Sequence, residues 1–255
     1  MPQTHTLEPE LRTLHGYFSS EMEPVLTIDP GDSVIYRTLE GGWRTEPIPG
    51  NDPRVGPRFP GYDPDEKGTG HALIGPVAIR GAHPGMTLVV DINAVVPGEW
   101  GVCFAGGWKT VFNQRYHMLE DRTVHKWTLD VETMTGRNQH GHSVALRPFM
   151  GVMGMPPPDR GKHTTIPPRI WGGNLDCKEL VAGSTLYLPI PVEGALFSTG
   201  DGHGAQGDGE ISGIAIECPM ESVDLTFTLR DDFPLKTPIA RTPAGWLTLG
   251  LGETL

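Results

Sequence analysis

Glycine and proline interrupt this chain so often that a long helix has nowhere to form: 34 glycines and 25 prolines are spread through 255 residues. In a helix interior each glycine costs about 1 kcal/mol relative to alanine and each proline about 3, so a helical bundle or coiled coil is excluded. Between the interruptions lie short, β-branched, apolar runs. Ser33–Thr38 follows Asp29-Pro30-Gly31-Asp32, and Met86–Val96 is held between His83-Pro84-Gly85 and Pro97-Gly98. His125–Val131, Ser143–Arg147, Thr185–Ile190, Ile211–Glu217 and Ser222–Leu229 repeat the pattern, which is that of strands closed by turns. No regular strand-helix-strand alternation appears, so the expected fold is all-β, a β-sandwich or jelly-roll, with residues 1–255 as a single domain. Trp108–Glu120 is the one helix candidate. Gly41–Thr69 reads as a long loop or lid. Arg147–Ile170 is forced into extended backbone by prolines at 156–158 and 167–168.

Charge narrows the partners. Against 31 acidic side chains stand 20 basic ones, for a formal charge of −11 with no run of Lys or Arg. Such a surface repels phosphate backbones and anionic lipid, so nucleic acid and membranes are excluded as expected partners. Cys103, Cys177 and Cys218 form no CxxC pair and read as thiols in a reducing compartment. Met1–Glu10 lacks the apolar core of a signal peptide, and no apolar run reaches spanning length. The expectation is a cytoplasmic protein.

The segment Gly194-Ala-Leu-Phe-Ser-Thr-Gly-Asp-Gly-His-Gly-Ala-Gln-Gly-Asp-Gly-Glu210 is the most unusual in the chain. Asp201, His203, Asp208 and Glu210 lie close together and are separated by glycines, which allow close backbone approach and convergence on one point. Imidazole nitrogen with carboxylate oxygen is a donor set that hydrolytic Zn²⁺ uses; a solvated Gly-rich surface turn would look the same. Three look-alikes fail. Gly202-x-Gly204-x-x-Gly207 is followed by more glycine and a strand, where a dinucleotide-binding turn needs a helix. Ala205 stands where an EF-hand needs an oxygen ligand, and the nonapeptide calcium repeat occurs only once. Upstream, in Gly172-Gly-Asn-Leu-Asp-Cys-Lys178, Asn174 and Lys178 suit polarisation of a carbonyl and Asp176 suits a metal or an oriented ligand, or the stretch is a capped turn. His140-Gly-His142 is a weak imidazole pair. Cys177 has no supporting nucleophile motif and reads as an inert thiol.

At these residues the sequence resembles the acetamidase/formamidase family. The match runs almost without a gap from Gly172 to Glu217. It extends back through Pro148–Gly154, His163–Arg169, Gly75–Gly85 and the Pro-Gly-Asp turn within Thr27–Val34. Trp171, Gly204 and His71-Ala72 depart from the family's pattern near the presumed pocket. The resemblance implies a CUB-like β-sandwich, a homodimer, and hydrolysis of short linear amides of the formamide or acetamide type to acid and ammonia. It also implies a divalent metal, zinc foremost, whose bound water attacks the carbonyl. On that basis Asp201 and His203 are ligands, His71 and Asp176 are further ligand candidates, and Glu210 is the acid/base, with Asn174 and Lys178 as the other catalytic candidates. The rival class is a non-enzymatic β-sandwich module whose loops hold calcium or a small ligand. His203 weighs against it, since calcium prefers an all-oxygen shell.

Overall fold

The computed structural model describes residues 1–52, 54–211 and 213–252, and the strands among them form two sheets. The seven-stranded sheet runs Thr4–Leu7, Ser33–Thr38, Met220–Arg230, Thr87–Pro97, Thr185–Pro189, Ile239–Thr242, Gly245–Thr248. Its first pair is parallel and the rest antiparallel. The eleven-stranded sheet has as its main path Ser143–Ala145, Thr135–Asn138, Thr123–Asp130, Trp100–Ala105, Ala215–Glu217, Phe197–Gln206, Phe149–Gly154, Gly172–Asn174. Leu73–Ile79 also joins Phe197–Gln206 and carries Leu14–His15 and Leu26–Ile28 with it. The all-β expectation holds. The described helices are single turns or little more: Pro64–Lys67, Val111–Arg115 and the 3-10 turn Asp208–Glu210. No helix is long and apolar enough to cross a membrane among the described residues.

Alternation makes the core. In Ser33–Thr38 the even positions Val34, Tyr36 and Thr38 are buried, as a strand with one face on a core requires. The two sheets meet where Phe197 of one and Phe227 of the other stack edge-on, ring centroids 5.0 Å apart. One contiguous apolar cluster collects residues from Leu7 to Ala240 around that contact.

Most of the expected strands appear within a residue or two, and three segments differ. Trp108–Glu120 is helical only at Val111–Arg115. Arg147–Ile170 contains a fully buried strand, Phe149–Gly154, which pairs with Phe197–Gln206. Ile211–Glu217, in which Ser212 lies outside the described residues, is strand only from Ala215. Gly209 at φ 59°, Glu210 at φ 48° and Gly213 at φ 67° wind the chain before it. The segment after Gly41 folds back on itself: Trp43 stacks on Tyr62 at 4.1 Å, and Ala72 N–H donates to the Gly41 carbonyl.

Candidate active site

The Gly-rich segment is a strand, Phe197–Gln206, and not a turn. Its two faces differ. Asp201 and His203 project to one side, whereas a Cβ on Gly200 would lie 2.2 Å from the Ala72 carbonyl oxygen and one on Gly202 would lie 2.5 Å from Met220 Cε. The glycines therefore let neighbouring chain press against one face while the other presents acid and imidazole. The register with Leu73–Ile79 slips between Phe197 and Thr199, and that with Ala215–Glu217 slips between His203 and Gln206. Such irregularities re-aim side chains beside functional sites. Asp201 itself is left-handed at φ 59°, as are Asp176 at φ 45° and Glu210 at φ 48°. That conformation costs of order 1 kcal/mol or more for a non-glycine residue and persists where surrounding structure enforces it. Room for the carboxylates comes from bare backbone. A Cβ on Gly151 would stand 2.8 Å from Asp201 Oδ2 and 2.9 Å from Asp176 Oδ1, and one on Gly41 only 2.0 Å from Asp201 Oδ1.

His203 is the hub of the cluster. Its Nε2 lies 3.3 Å from Glu217 Oε2 and 3.5 Å from Asp201 Oδ2, and its Nδ1 lies 4.0 Å from Asp176 Oδ1. Gln206 settles which ring nitrogen faces the centre as a lone pair. Gln206 Nε2 donates to the Asp176 carbonyl at 2.7 Å, so its Oε1, 2.7 Å from His203 Nδ1, must accept from an Nδ1–H. In the neutral ring Nε2 is then the free donor atom. His203 Nε2, Glu217 Oε2, Asp176 Oδ1 and Asn174 Oδ1 are all buried with no hydrogen-bond partner among the described residues. Asp176, Asp201 and His203 each bring one ligand atom within 4.8 Å of the others, and so do His203, Glu210 and Glu217.

The electrostatics follow from that crowding. Burial, then the Asp201 charge, raises Asp176 to about 6. Burial, then Glu217 and Asp176, raises Glu210 to about 8. Burial raises Glu217 to about 8, with Asp201 adding to it and His203 opposing. Burial would raise Asp201 too, but His71 and His203 outweigh it and hold that carboxyl well below the usual range. Burial opposes a charged His203, yet Glu217 and Asp201 push its pKa well above the ordinary imidazole value. Four carboxyl groups around one imidazole cannot all ionise unaided. The residues fit a divalent cation. Buried, unpartnered carboxylate oxygens, and an imidazole nitrogen held in orientation by the Gln206 amide behind it, are groups that such an ion satisfies.

The other residues singled out from sequence fall as follows. His71 sets Nε2 3.9 Å from Asp201 Oδ2 while Nδ1 bonds the Thr165 hydroxyl at 2.9 Å. Asn174 ends the strand Gly172–Asn174 with its buried Oδ1 unpartnered. Lys178 Nζ pairs with Asp208 at 2.9 Å and Glu179 at 3.5 Å, so the structure joins Lys178 to Asp208 rather than bringing either to His203. Asp208 is exposed and Glu210 half-buried, since the 3-10 turn sends them apart. His140 and His142 occupy an exposed hairpin whose main-chain N–H groups donate to Asn138 Oδ1. Burial pushes the Cys177 thiol up to about 11, which leaves it protonated and inert near neutrality.

Sequence reasoning missed three residues as site members: Glu217, Gln206 and Glu40. Glu217 did leave a signal, a lone acid in the otherwise apolar run Ile214-Ala215-Ile216-Glu217-Cys218. Glu40 left none. It is buried, bound by Arg44 Nη1 at 2.6 Å, and raised in pKa first by that burial. With Gly41, His71, Asp201 and Glu217 it lines a cavity of about 520 Å³ that opens onto the cluster.

This architecture, a two-sheet β fold with a buried acid-histidine cluster at the floor of an open cavity, has relatives. A sequence model of the acetamidase/formamidase family matches residues 2–163 and 159–243. The chain belongs to the acetamidase/formamidase family. It is 28% identical over 253 residues to a formamidase of Methylophilus methylotrophus, covering 78% of this chain and 60% of the relative. It is 27% identical over 259 residues to an acetamidase of Mycolicibacterium smegmatis, covering 78% and 61%. Thus the chain spans about three-fifths of the length of these curated relatives. A crystal structure of an acetamidase from Bacillus halodurans superposes with a TM-score of 0.79 at 25% identity, covering 93% of this chain and 74% of that one.

Proposed function

We propose that this protein hydrolyses the carbon–nitrogen bond of linear amides, giving a carboxylic acid and ammonia, with the help of a divalent cation, zinc in the first instance. One observation carries the reading: His203 joins two groups of possible ligands, Asp176 with Asp201 and Glu210 with Glu217, in which Asp176 Oδ1, His203 Nε2 and Glu217 Oε2 are buried without partners, and Asp201 and Glu217 line an open cavity. The formamidase and acetamidase named among the relatives support the choice of substrate class.

Asp176, Asp201 and His203 would hold the cation, with Glu217 beside His203 and His71 beside Asp201. Bound there, a divalent cation supplies Lewis-acid polarisation of a carbonyl and acidifies water. The protein's own groups handle the rest. Glu210, a half-buried carboxyl group grouped with His203 and Glu217, is placed to exchange protons with a molecule held there. In the proposed reaction it takes a proton from the attacking water as the new C–O bond forms. It returns that proton to nitrogen as the C–N bond breaks, so that ammonia leaves. Asn174 Oδ1, an acceptor without a partner, suits an N–H of the substrate amide. A neutral amide also suits a floor lined by acids, where an anionic substrate would be repelled.

Ammonia release from formamide, acetamide and propionamide tests this. The expected result is turnover that a chelator abolishes and added Zn²⁺ restores. Metal-replete, folded protein that releases ammonia from none of them would refute the proposal.

A further inference from the structure

The cavity above the cluster is larger and more aromatic than formamide or acetamide calls for. Its volume of about 520 Å³ lies within the range of sites for ligands of many heavy atoms, about 300–1,000 Å³. The acids Asp201 and Glu217 lie at its floor, while its walls carry Trp43, Tyr62, Phe104 and Ile166. The polar handles of the two largest rings are turned away into backbone. Trp43 Nε1 donates to the Gly70 carbonyl at 2.8 Å, and the Tyr62 hydroxyl donates to the Gly68 carbonyl at 2.9 Å. With those groups satisfied, Tyr62, backed by the buried Trp43 ring stacked on it, presents apolar surface rather than a hydrogen-bonding group. Phe104 is only half-buried, and Ile166 stands 56% exposed at the rim. Tyr62, Phe104 and Ile166 together, and not the exposed isoleucine alone, make a contiguous apolar wall above the acids. Arg58, its guanidinium 5.8 Å from the Tyr62 ring centroid, adds a cation to the lining.

From this we infer that the substrate is the primary amide of an aryl-bearing carboxylic acid: the carboxamide reaches the acid cluster while the ring lies along the wall of Tyr62 and Phe104, under Ile166. The inference rests on the hydrolase reading for its chemistry and on the cavity walls for its selectivity. Covering an aromatic ring is expected to tighten binding roughly 10- to 100-fold over acetamide.

Calorimetric titration of phenylacetamide and acetamide into metal-replete Glu210→Gln protein, which keeps the site but turns over too slowly to add heat of hydrolysis, and into the same protein with Phe104→Ala or Ile166→Ala, decides the matter. Because Ile166 is exposed, its replacement leaves the fold intact even where Phe104→Ala does not. Phenylacetamide is expected to bind at least about tenfold tighter than acetamide, and each folded variant to reduce that ratio roughly fivefold. Acetamide binding as tightly as phenylacetamide, or a ratio unmoved by Ile166→Ala, overturns the inference. Ammonia release on the same pair separates the two proposals. An intact binding preference with no turnover of either amide refutes the hydrolase reading and still supports the aryl-amide cavity.

Discussion

Gly41 tests the placement of Asp201 from outside the cluster. Its φ is not in the left-handed region, so alanine suits the backbone there, but the new Cβ would lie 2.0 Å from Asp201 Oδ1. Ordinary contact begins near 3.4 Å, so the carboxylate must retreat by about 1.4 Å, the difference between those two distances. Asp201 has little room to do so: its Oδ2 is 3.5 Å from His203 Nε2 and 3.9 Å from His71 Nε2, and Gly151 backs it from the neighbouring strand. Overpacking of this kind costs about 1–3 kcal/mol, which for a chain of this size lowers Tm by roughly 2–12 °C. Function should suffer more, because a misplacement of about 1 Å can cost on the order of 100-fold in turnover. We therefore predict that Gly41→Ala folds, melts a few degrees lower, and loses about 100-fold in kcat/KM for ammonia release. Gly50→Ala is the control: it is exposed and its added Cβ meets nothing within 4 Å, so stability and turnover should match the parent. Parental metal content and turnover in Gly41→Ala would show that Asp201 does not serve the reaction from the position described.

Glu210→Gln keeps shape but cannot accept a proton; a loss of roughly 100- to 10,000-fold in turnover with metal content intact is expected, whereas loss of metal would make Glu210 a ligand instead. Gln206→Leu removes the acceptor that fixes His203 Nδ1–H, and metal affinity measured by competition with a chelating dye should fall about 10- to 100-fold; Gln206→Glu, which can still accept from Nδ1–H, should fall less. His15 is buried, its Nδ1 bonded to the Tyr17 carbonyl at 2.7 Å and its Nε2 to the Ser198 hydroxyl at 3.0 Å, and burial lowers its pKa from 6.5 to about 4. Between those values the unfolded chain binds a proton that the native protein refuses. Stability should therefore fall by up to about 1.4 kcal/mol per unit as pH drops through that window, and His15→Gln should flatten that slope in denaturant titrations.

Much of the fold was legible because alternation and turn chemistry act locally. Ser33–Thr38 needs only its own β-branched residues and the preceding Pro-Gly-Asp turn to declare itself a strand. Phe197–Gln206 was not legible as a strand. Local propensity disfavours so many glycines there, and the reason for them is tertiary: Ala72 and Met220 press against positions 200 and 202. The buried strand Phe149–Gly154 was hidden for the same reason, since two glycines and two methionines give no β signature without the partner strands that flank it. In the candidate site, the grouping of Asp201 with His203 followed from their spacing, and Asp176 was singled out in the polar stretch Gly172–Lys178. Glu217 left a sequence signal as a lone acid in an apolar run, but its place beside His203 depends on pairing, because that register is a property of two strands. Lys178, a catalytic candidate beside Asn174 and Asp176 in sequence, follows a left-handed turn at Asp176 and pairs its ammonium with Asp208 and Glu179.

The central claim is that the acid-histidine cluster holds a divalent cation, and elemental analysis of purified protein tests it most directly. The parent is predicted to carry about one transition-metal ion per chain, and folded Asp201→Asn and His203→Ala to carry much less. Equal metal content in all three, or a parent free of metal that still releases ammonia in the presence of a chelator, would contradict the account.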